Sequence, residues 1–292
     1  MPDPTYIAQV LVSGLGTGCI YGLIGIGFCV IYNASGIVNF AQGAFVMLGG
    51  MLTQLLLMRY GVPLLPAAAV AIVVVAAMGM LLERLVVRPL WDRNATMFVM
   101  ILATLAAQIV VERATLLAAG DQPRTLPVFT DVPPLMLGRV AISVQLLWIL
   151  GASALVIAAL TAFFRYTLAG KAMRACSIDR EAAALQGIPV KRMLALSFAL
   201  SAALGATAGI LITPTQYTAF NVGVPFAISG FIAAIVGGFG RPLGAFLGGL
   251  LLGLVQAGAI AALGSGLKNV AALSMLLVFL FLRPGGILGA AK

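Results

Sequence analysis

Long stretches of this sequence carry no charged residue, and they are the feature that most limits how the chain can fold. A membrane-spanning helix needs about 20 apolar residues, so each stretch is long enough for one span or two. Charged residues make up only 9% of the chain, against about 25% in soluble domains. The uncharged runs cover residues 4–58, 64–82, 94–111, 141–164, 193–240 and 242–267. The sequence therefore predicts an integral membrane protein.

Polar breaks divide each of the two longest runs into two spans. Asn, Ser and Gly at 33–36 and Thr, Pro, Gln and Asn at 213–225 are typical of turns. The predicted spans are 7–32, 37–58, 63–82, 95–111, 144–164, 193–213, 224–240, 243–262 and 267–282. A spanning β-barrel would show alternating polarity, which these runs lack. We predict an all-α polytopic membrane protein, a single domain over 1–292 with about nine transmembrane helices, and at least eight and at most ten.

Lys and Arg are distributed unequally between the two sides of this nine-span arrangement, and cytoplasmic loops carry the excess. The predicted cytoplasmic side holds Arg84, Arg88, Arg93, Arg165, Lys171, Arg174, Arg180, Lys191, Arg192, Arg241, Arg283 and Lys292. The other side holds Arg59, Arg113, Arg124, Arg139 and Lys268. We therefore expect the N-terminus outside and the C-terminus in the cytoplasm, with an external loop at 112–140 and a cytoplasmic loop at 167–192.

Small residues follow regular spacings along the first and eighth predicted spans, where they let helix backbones approach closely. The segment GAFVMLGG at 43–50 resembles GAFLGG at 244–249, and each opens a span just after a polar break. Weak internal symmetry of this kind is typical of transporters built from repeats. The sequence is therefore consistent with a weak internal repeat, and the alternative is a chance match, because Gly, Ala, Phe and Leu are common in this chain.

Several classes of function are excluded or weakened by residues that the chain lacks. It contains no histidine, which excludes a His-based catalytic triad and a His-ligated metal. The eight acidic residues fall at span ends or in loops, whereas ion-driven carriers place ionisable groups within the membrane. A P-loop is absent. We expect no cofactor and no metal, and the net charge of +9 indicates anionic lipid rather than nucleic acid.

One charged segment, 171–192, interrupts the apolar chain. Residues 179–186 predict a helix of about two turns, because acidic residues open it and Gly187 and Pro189 stop it. So short a helix is unstable alone in water, and apolar residues on it offer a surface to a partner. Those apolar residues are Ala182, Ala183, Leu185 and Ile188. The alternative is a solvated basic loop.

This segment resembles the cytoplasmic EAA loop in the membrane permeases of bacterial ABC importers. The loop has Glu-Ala-Ala, three residues and then Gly, and Glu181, Ala182, Ala183 and Gly187 match it. The family's loop implies a coupling helix that seats in a cleft of an ATP-binding subunit. By that resemblance the coupling residues are Asp179, Arg180, Glu181, Ala182, Ala183, Leu185, Gly187 and Ile188.

A second resemblance is to the branched-chain amino acid permeases of such importers, in particular the shorter of their two membrane subunits. It rests on YGLIGIGFCVIYNASGIVNFAQGAFVMLGG, on 170–209 and on 234–253, with VNFAQG at 38–43 the most specific part. The family implies a permease of the bacterial cytoplasmic membrane that works by alternating access. Its implied partners are a related second permease subunit, two cytoplasmic ATPases and an extracytoplasmic solute-binding protein. An amide- or urea-type permease of the same family and a self-sufficient secondary carrier are the alternatives.

Two polar clusters are candidates for contact with the solute or its carrier. Asn33, Ser35, Asn39 and Gln42 lie at the break between the first two spans and could line the translocation pathway. The alternative is that they cap the second helix or tie it to a neighbour. Thr215, Gln216, Tyr217 and Asn221 lie at the predicted outer surface and could dock the binding protein, or could form an ordinary external loop.

Overall fold

The computed structural model describes residues 4–138, 140–283 and 285–288, and these fold almost entirely into helices. The helices are α1 (Pro4–Ser35), α2 (Gln42–Tyr60), α3 (Leu64–Leu82), α4 (Arg88–Asp92), α5 (Met97–Ala119), α6 (Val144–Tyr166), α7 (Leu168–Ile178), α8 (Arg180–Leu185), α9 (Val190–Ile212), α10 (Gly223–Gly237), α11 (Pro242–Leu263) and α12 (Lys268–Leu282). The all-α prediction is confirmed, apart from a small antiparallel hairpin of β1 (Leu135–Leu137) and β2 (Val140–Ile142). Arg139 and Lys292, which were assigned above to opposite sides of the membrane, and Asp3, one of the eight acidic residues, lie outside the described residues.

Eight helices in the described part of the chain are long and apolar enough to cross a membrane. The seventh predicted span, 224–240, is the exception, because α10 has only 15 residues. At a rise of 1.5 Å per residue it is about 22 Å long, less than the hydrocarbon thickness of about 30 Å. The nine predicted spans are thus nine helices, of which eight reach full length and α10 does not.

Two predicted helix ends are wrong because the predicted spans stopped before charged residues. The fourth predicted span stopped at 111, before Glu112 and Arg113, but α5 continues to Ala119, so the loop assigned to 112–140 begins only at Gly120. The third predicted span stopped at 82, yet a π-helical turn, Glu83–Val87, carries the helix on into α4. The side chain of Glu83 is completely buried there and pairs with Arg88, which explains how a charge fits inside the helix.

Side-chain caps fix where three successive helices of the second half begin. The N-terminal backbone amides of a helix have no partner within it, and a side-chain oxygen can accept from one of them. Ser143, Thr167 and Asp179 do so for α6, α7 and α8. Thr167 also turns the chain, because it separates the long α6 from the short, surface-lying α7.

Helix α1 forms the centre of the bundle and packs against α9, α10 and α11. Its contact with α11 depends on glycine, since a Cβ added at Gly249 or Gly253 would meet the backbone of α1 at Gly22 or Gly18. This close approach confirms the prediction from small-residue spacing. Helices α3, α5, α6 and α12 surround this core, and most of their surface is exposed in the single chain.

The two ends of the bundle have different character. One end, which we call the basic face, comprises the C-terminal end of α1, residues 83–96, residues 165–192 and residues 238–241. Contacts join these segments, among them Asn33 to Gly240 and Lys191 to Asp92. At the opposite face, Gln9 bonds to Ala141 and Tyr6 bonds to Ala261. The two sets of basic residues separated in the sequence analysis therefore lie at opposite ends of the bundle wherever the structure describes them.

Candidate functional site

The short helix predicted at 179–186 is present as α8 on the basic face. Asp179 caps it, with its Oδ1 accepting from the backbone N–H of Ala182 at 3.0 Å. Gly187 ends it in a left-handed conformation at φ +80°, and the N–H of Ile188 then donates to the carbonyl of Ala183 at 3.1 Å. The predicted stop at Gly187 is confirmed, because that backbone conformation favours glycine.

The apolar residues of α8 do not form one surface, as the sequence analysis expected. Ala183 is buried against the protein and Ile188 is half-buried, whereas Ala182 is exposed and Leu185 is 88% exposed. Glu181 is exposed beside them. A helix of six residues places side chains on all its faces, so half of the predicted surface anchors α8 and half projects outward.

Arg180 connects α8 to the rest of the basic face, which the sequence analysis did not predict. Its guanidinium lies 4.8 Å from the ring centroid of Trp91, in the segment that continues α3. The same group lies against Gly36, where φ is +65° and a side chain would collide with it. Burial lowers the pKa of Arg180, and the nearby Cys176 and Tyr32 oppose that shift. α8 is thus joined through one cation to α4 and to the break between α1 and α2.

A second set of contacts holds the same segments together. Glu83 and Arg88 form a two-pronged ion pair across the π-helical turn, with both N–O distances at 3.0 Å. Arg88 also donates to the backbone carbonyl of Lys191, just beyond α8, and Lys191 pairs with Asp92 at 2.8 Å. No spacing pattern in the sequence predicts these long-range pairs, so they could not be predicted before the fold was known.

The four predicted pathway residues occupy different surroundings. Asn33 donates to the carbonyl of Gly240 at 2.7 Å and lines a cavity on the basic face. Ser35 bonds to backbone within its own turn. Gln42 is completely buried and exchanges hydrogen bonds with Ser201, which ties α2 to α9. The bonds of Gln42 are the tying role that was kept as the alternative, whereas the N-cap residue of α2, Ala41, makes no side-chain cap.

Asn39 lies where α2 begins, deep inside the protein. Ser201, the partner of Gln42, is eleven residues into α9, which places the start of α2 about 16 Å from that end of α9. Gly43 touches Gly223 there, so the N-terminus of α10 lies beside the N-terminus of α2. The chain reaches this point by re-entering over 213–222. α10 is therefore a half-length helix that starts within the bundle.

Side chains from α5 accept hydrogen bonds from backbone N–H groups at this junction. Thr104 accepts from the N–H of Phe40, and Gln108, one turn further, accepts from the N–H of Ala44 at 2.6 Å. In the described residues the amide nitrogens of Asn39 and Gln108 have no hydrogen-bond partner, although both side chains are buried. A buried donor without a partner is unfavourable, so this junction can gain stability from a water or a solute group.

The polar cluster predicted for docking lines an outward-opening space on the opposite face. Thr215, Gln216 and Tyr217 contribute to a cavity of about 510 Å³, whereas Asn221 is exposed outside it. Tyr21, Ser229 and Lys268 line the same cavity, and all three were missed because they are distant in sequence. The hydroxyl of Tyr21 donates to Gln256 at 2.8 Å in the adjoining cavity, which also contains Lys268. Among the described residues that line these two cavities, Lys268 is the one that carries a charge.

These features define a multi-pass membrane protein with a short capped helix on one face and a polar cavity on the other. A family model described as branched-chain amino acid transport system, permease component, matches residues 10–282. The chain belongs to that family. The BraD permease protein of a high-affinity branched-chain amino acid transport system in Pseudomonas aeruginosa is 36% identical, over 99% of this chain and 98% of its own. The LivH permease protein of Escherichia coli is 32% identical, over 97% and 96%.

A solved structure supports the fold independently of sequence. PsaBC from Streptococcus pneumoniae, in complex with Fab, superposes with a TM-score of 0.53 over 96% of this chain and 92% of the matched chain. Its sequence identity is only 12%, so this likeness concerns the arrangement of helices alone.

Proposed function

We propose that this chain is the membrane-spanning permease subunit of an ATP-driven importer in the bacterial cytoplasmic membrane. The importer moves branched-chain or related amino acids by alternating access. The proposal rests on family membership together with one observation, the capped helix α8 that presents Glu181, Ala182 and Leu185 outward from the basic face. ATP hydrolysis takes place on separate subunits, and this chain itself is not an enzyme.

Four partners complete the proposed assembly. Two cytoplasmic ATPases supply energy, and α8 seats on one of them through Glu181 and Leu185. A related permease subunit packs on a helix that remains exposed here, such as α12. An extracytoplasmic binding protein delivers the solute at the opposite face, where Tyr217 is 57% exposed. In this orientation the basic face is cytoplasmic, as the excess of Lys and Arg favours, and the N-terminus is outside.

The proposed route enters through the cavity that contains Lys268 and passes the junction of α2 and α10. Lys268 attracts the carboxylate of an amino acid, while Phe226 and Val222 line the same cavity with apolar surface. Asn39 offers an unpartnered donor deeper inside, beside Gln42. Asn33 and Ser35 lie further along, at the basic face. Asn39→Ala or Gln42→Ala with normal folding and normal uptake would remove that residue from the route.

Proteoliposome uptake tests the proposal directly. The complete assembly, reconstituted with ATP at the basic face, should accumulate leucine, and accumulation should stop when ATP is omitted. Accumulation of a short amide or of urea in place of leucine would assign the chain to another solute within the same family. Accumulation by this chain alone without ATP would show a secondary carrier and refute the proposal.

A pair of equally exposed leucines supplies a matched control for the role of α8. Leu185→Ser on α8 should lower ATP-dependent uptake roughly tenfold, which corresponds to about 1.4 kcal/mol. Leu117→Ser on α5 removes the same side chain at 89% exposure, close to the 88% of Leu185, but near the opposite face. It should leave uptake unchanged. Equal losses in both variants would show that α8 has no special role.

A further inference from the structure

A large cavity on the basic face touches the proposed transport route only at its inner end, where Asn33 lines part of its wall and Ser35, Asn39 and Gln42 do not. It measures about 670 Å³ and lies between α1, α6, α7 and the start of α11. Its walls are formed mainly by apolar side chains, among them Ile26 and Val30 of α1, Ile157 and Leu160 of α6, and Leu243 of α11. The cavity is therefore an apolar cleft between helices that span the membrane.

Three arginines from three different elements line this otherwise apolar cleft. Arg165 ends α6, Arg174 lies on α7, and Arg241 precedes α11. The residues that line the cavity include no Asp or Glu, and within the described chain none of the three arginines forms an ion pair. The three exposed guanidinium groups are therefore available to an anion, which would accept charge-assisted hydrogen bonds from them.

The neighbouring spans place these arginines at the membrane surface. Arg165 ends α6 and Arg241 precedes α11, and both helices are long and apolar enough to cross a membrane. Helix α7 packs Met173 and Cys176 against the protein and exposes Arg174 on its other side. Because arginines at the ends of spans extend to the interface, the guanidinium groups are at the depth of lipid headgroups, and the apolar walls extend toward the hydrocarbon.

We propose that this cleft binds an anionic phospholipid. One acyl chain lies against the walls from α1 and α6, and the phosphate is held by Arg165, Arg174 and Arg241. The guanidinium group of one arginine can donate to two phosphate oxygens at once. Basic pockets between spans on the cytoplasmic side suit acidic headgroups. A soluble phosphate would leave the apolar walls unfilled. A zwitterionic lipid would bring an ammonium group that finds no carboxylate in the cavity.

Native mass spectrometry of the purified full-length chain tests this site. The chain is mixed with equal amounts of phosphatidylglycerol and phosphatidylcholine of the same acyl length. We expect roughly tenfold more bound phosphatidylglycerol, and loss of that preference in the triple variant R165Q/R174Q/R241Q. The control variant R84Q/R93Q/R192Q removes three exposed arginines of the same face that lie outside the cavity, and it should keep the preference.

Three outcomes would overturn the proposal. Equal retention of both lipids by the unaltered chain would remove the specificity, and equal loss of preference in both triple variants would show general attraction to the basic face. If the complete assembly retains no lipid and a cross-linker at position 174 reacts with a partner subunit, the cleft is a contact site for that partner. If the Gln variant does not fold, R165K/R174K/R241K keeps the charge and should retain the preference for phosphatidylglycerol.

Discussion

The basic face and the opposite face differ in how their helices are held together. On the basic face, charged groups link α8, α4 and the start of α9, through Arg180 over Trp91 and Lys191 with Asp92. On the opposite face the described side chains form no ion pair: Gln9 bonds to Ala141, Arg124 bonds to the neutral Gln54, and polar cavities remain between the helices. The ion pairs thus hold the segments of the basic face together as one unit, whereas the contacts of the opposite face leave open cavities between the helices.

The largest effect should come from the buried charge of the basic face. Glu83→Ala leaves Arg88 without its partner, and removal of one member of a buried ion pair costs about 3 kcal/mol. Gln145 is the neutral counterpart near the opposite face, buried and bonded to Leu211 and Phe129. Gln145→Ala should cost only about 1 kcal/mol. Thermal unfolding in detergent measures both, and equal destabilisation would contradict the proposed difference between the faces.

Two glycines in the left-handed conformation test whether the two faces differ in their role in coupling ATP hydrolysis to transport. Gly187 ends α8 at φ +80°, and Gly61 ends α2 on the opposite face at φ +63°, each with open space around it. Valine at either position costs about 1–2 kcal/mol of backbone strain. Gly187→Val should raise the ATP hydrolysed per leucine imported roughly tenfold, and Gly61→Val should not. A rise in both variants would show that strain alone, wherever it lies, disturbs transport.

Each face also has an arginine over the aromatic ring of a residue that is distant in sequence, which gives a smaller matched test. Arg180 lies 4.8 Å from the centroid of Trp91, and Arg113 lies 6.0 Å from that of Phe220. A cation–π contact is worth about 0.5–2 kcal/mol. Arg180→Gln should lower ATP-dependent uptake several-fold, and Arg113→Gln less than twofold. Adding Trp91→Leu to Arg180→Gln should lower uptake no further, and an additive loss would mean that the two side chains act independently.

The smallest effect is expected in the cavity of the opposite face. Lys268→Gln removes its charge, which should slow leucine uptake a few-fold because an amino acid carboxylate loses an opposite charge. Uptake of the amide of leucine, which lacks the carboxylate, should not change. A comparable loss for both solutes would show that Lys268 supports the shape of the cavity and does not contact the solute.

Helix α1 and helix α12 show what the sequence could and could not predict. Both are apolar enough to span, and both were predicted as spans. In the most apolar 18-residue segment of α1, however, 89% is buried inside the protein, against 11% in that of α12. Hydropathy cannot distinguish them, whereas glycine can, since Gly14, Gly18 and Gly22 bring α1 against α11. The remaining features of the two faces depend on contacts between residues that are distant in sequence. Arg180 meets Trp91 and Tyr21 meets Gln256 only after folding, so neither the links of α8 nor the outer cavity could be predicted.

The most direct test of the central proposal is whether α8 holds the ATPase. The chain is purified from its native membrane in mild detergent, once unaltered and once with 181–187 replaced by a Gly/Ser linker, and co-purifying proteins are identified by mass spectrometry. We predict that a P-loop ATPase accompanies the unaltered chain and is lost from the variant, while the variant unfolds at the same temperature. Undiminished co-purification of the ATPase with the linker variant would contradict the assignment of α8 as the coupling helix.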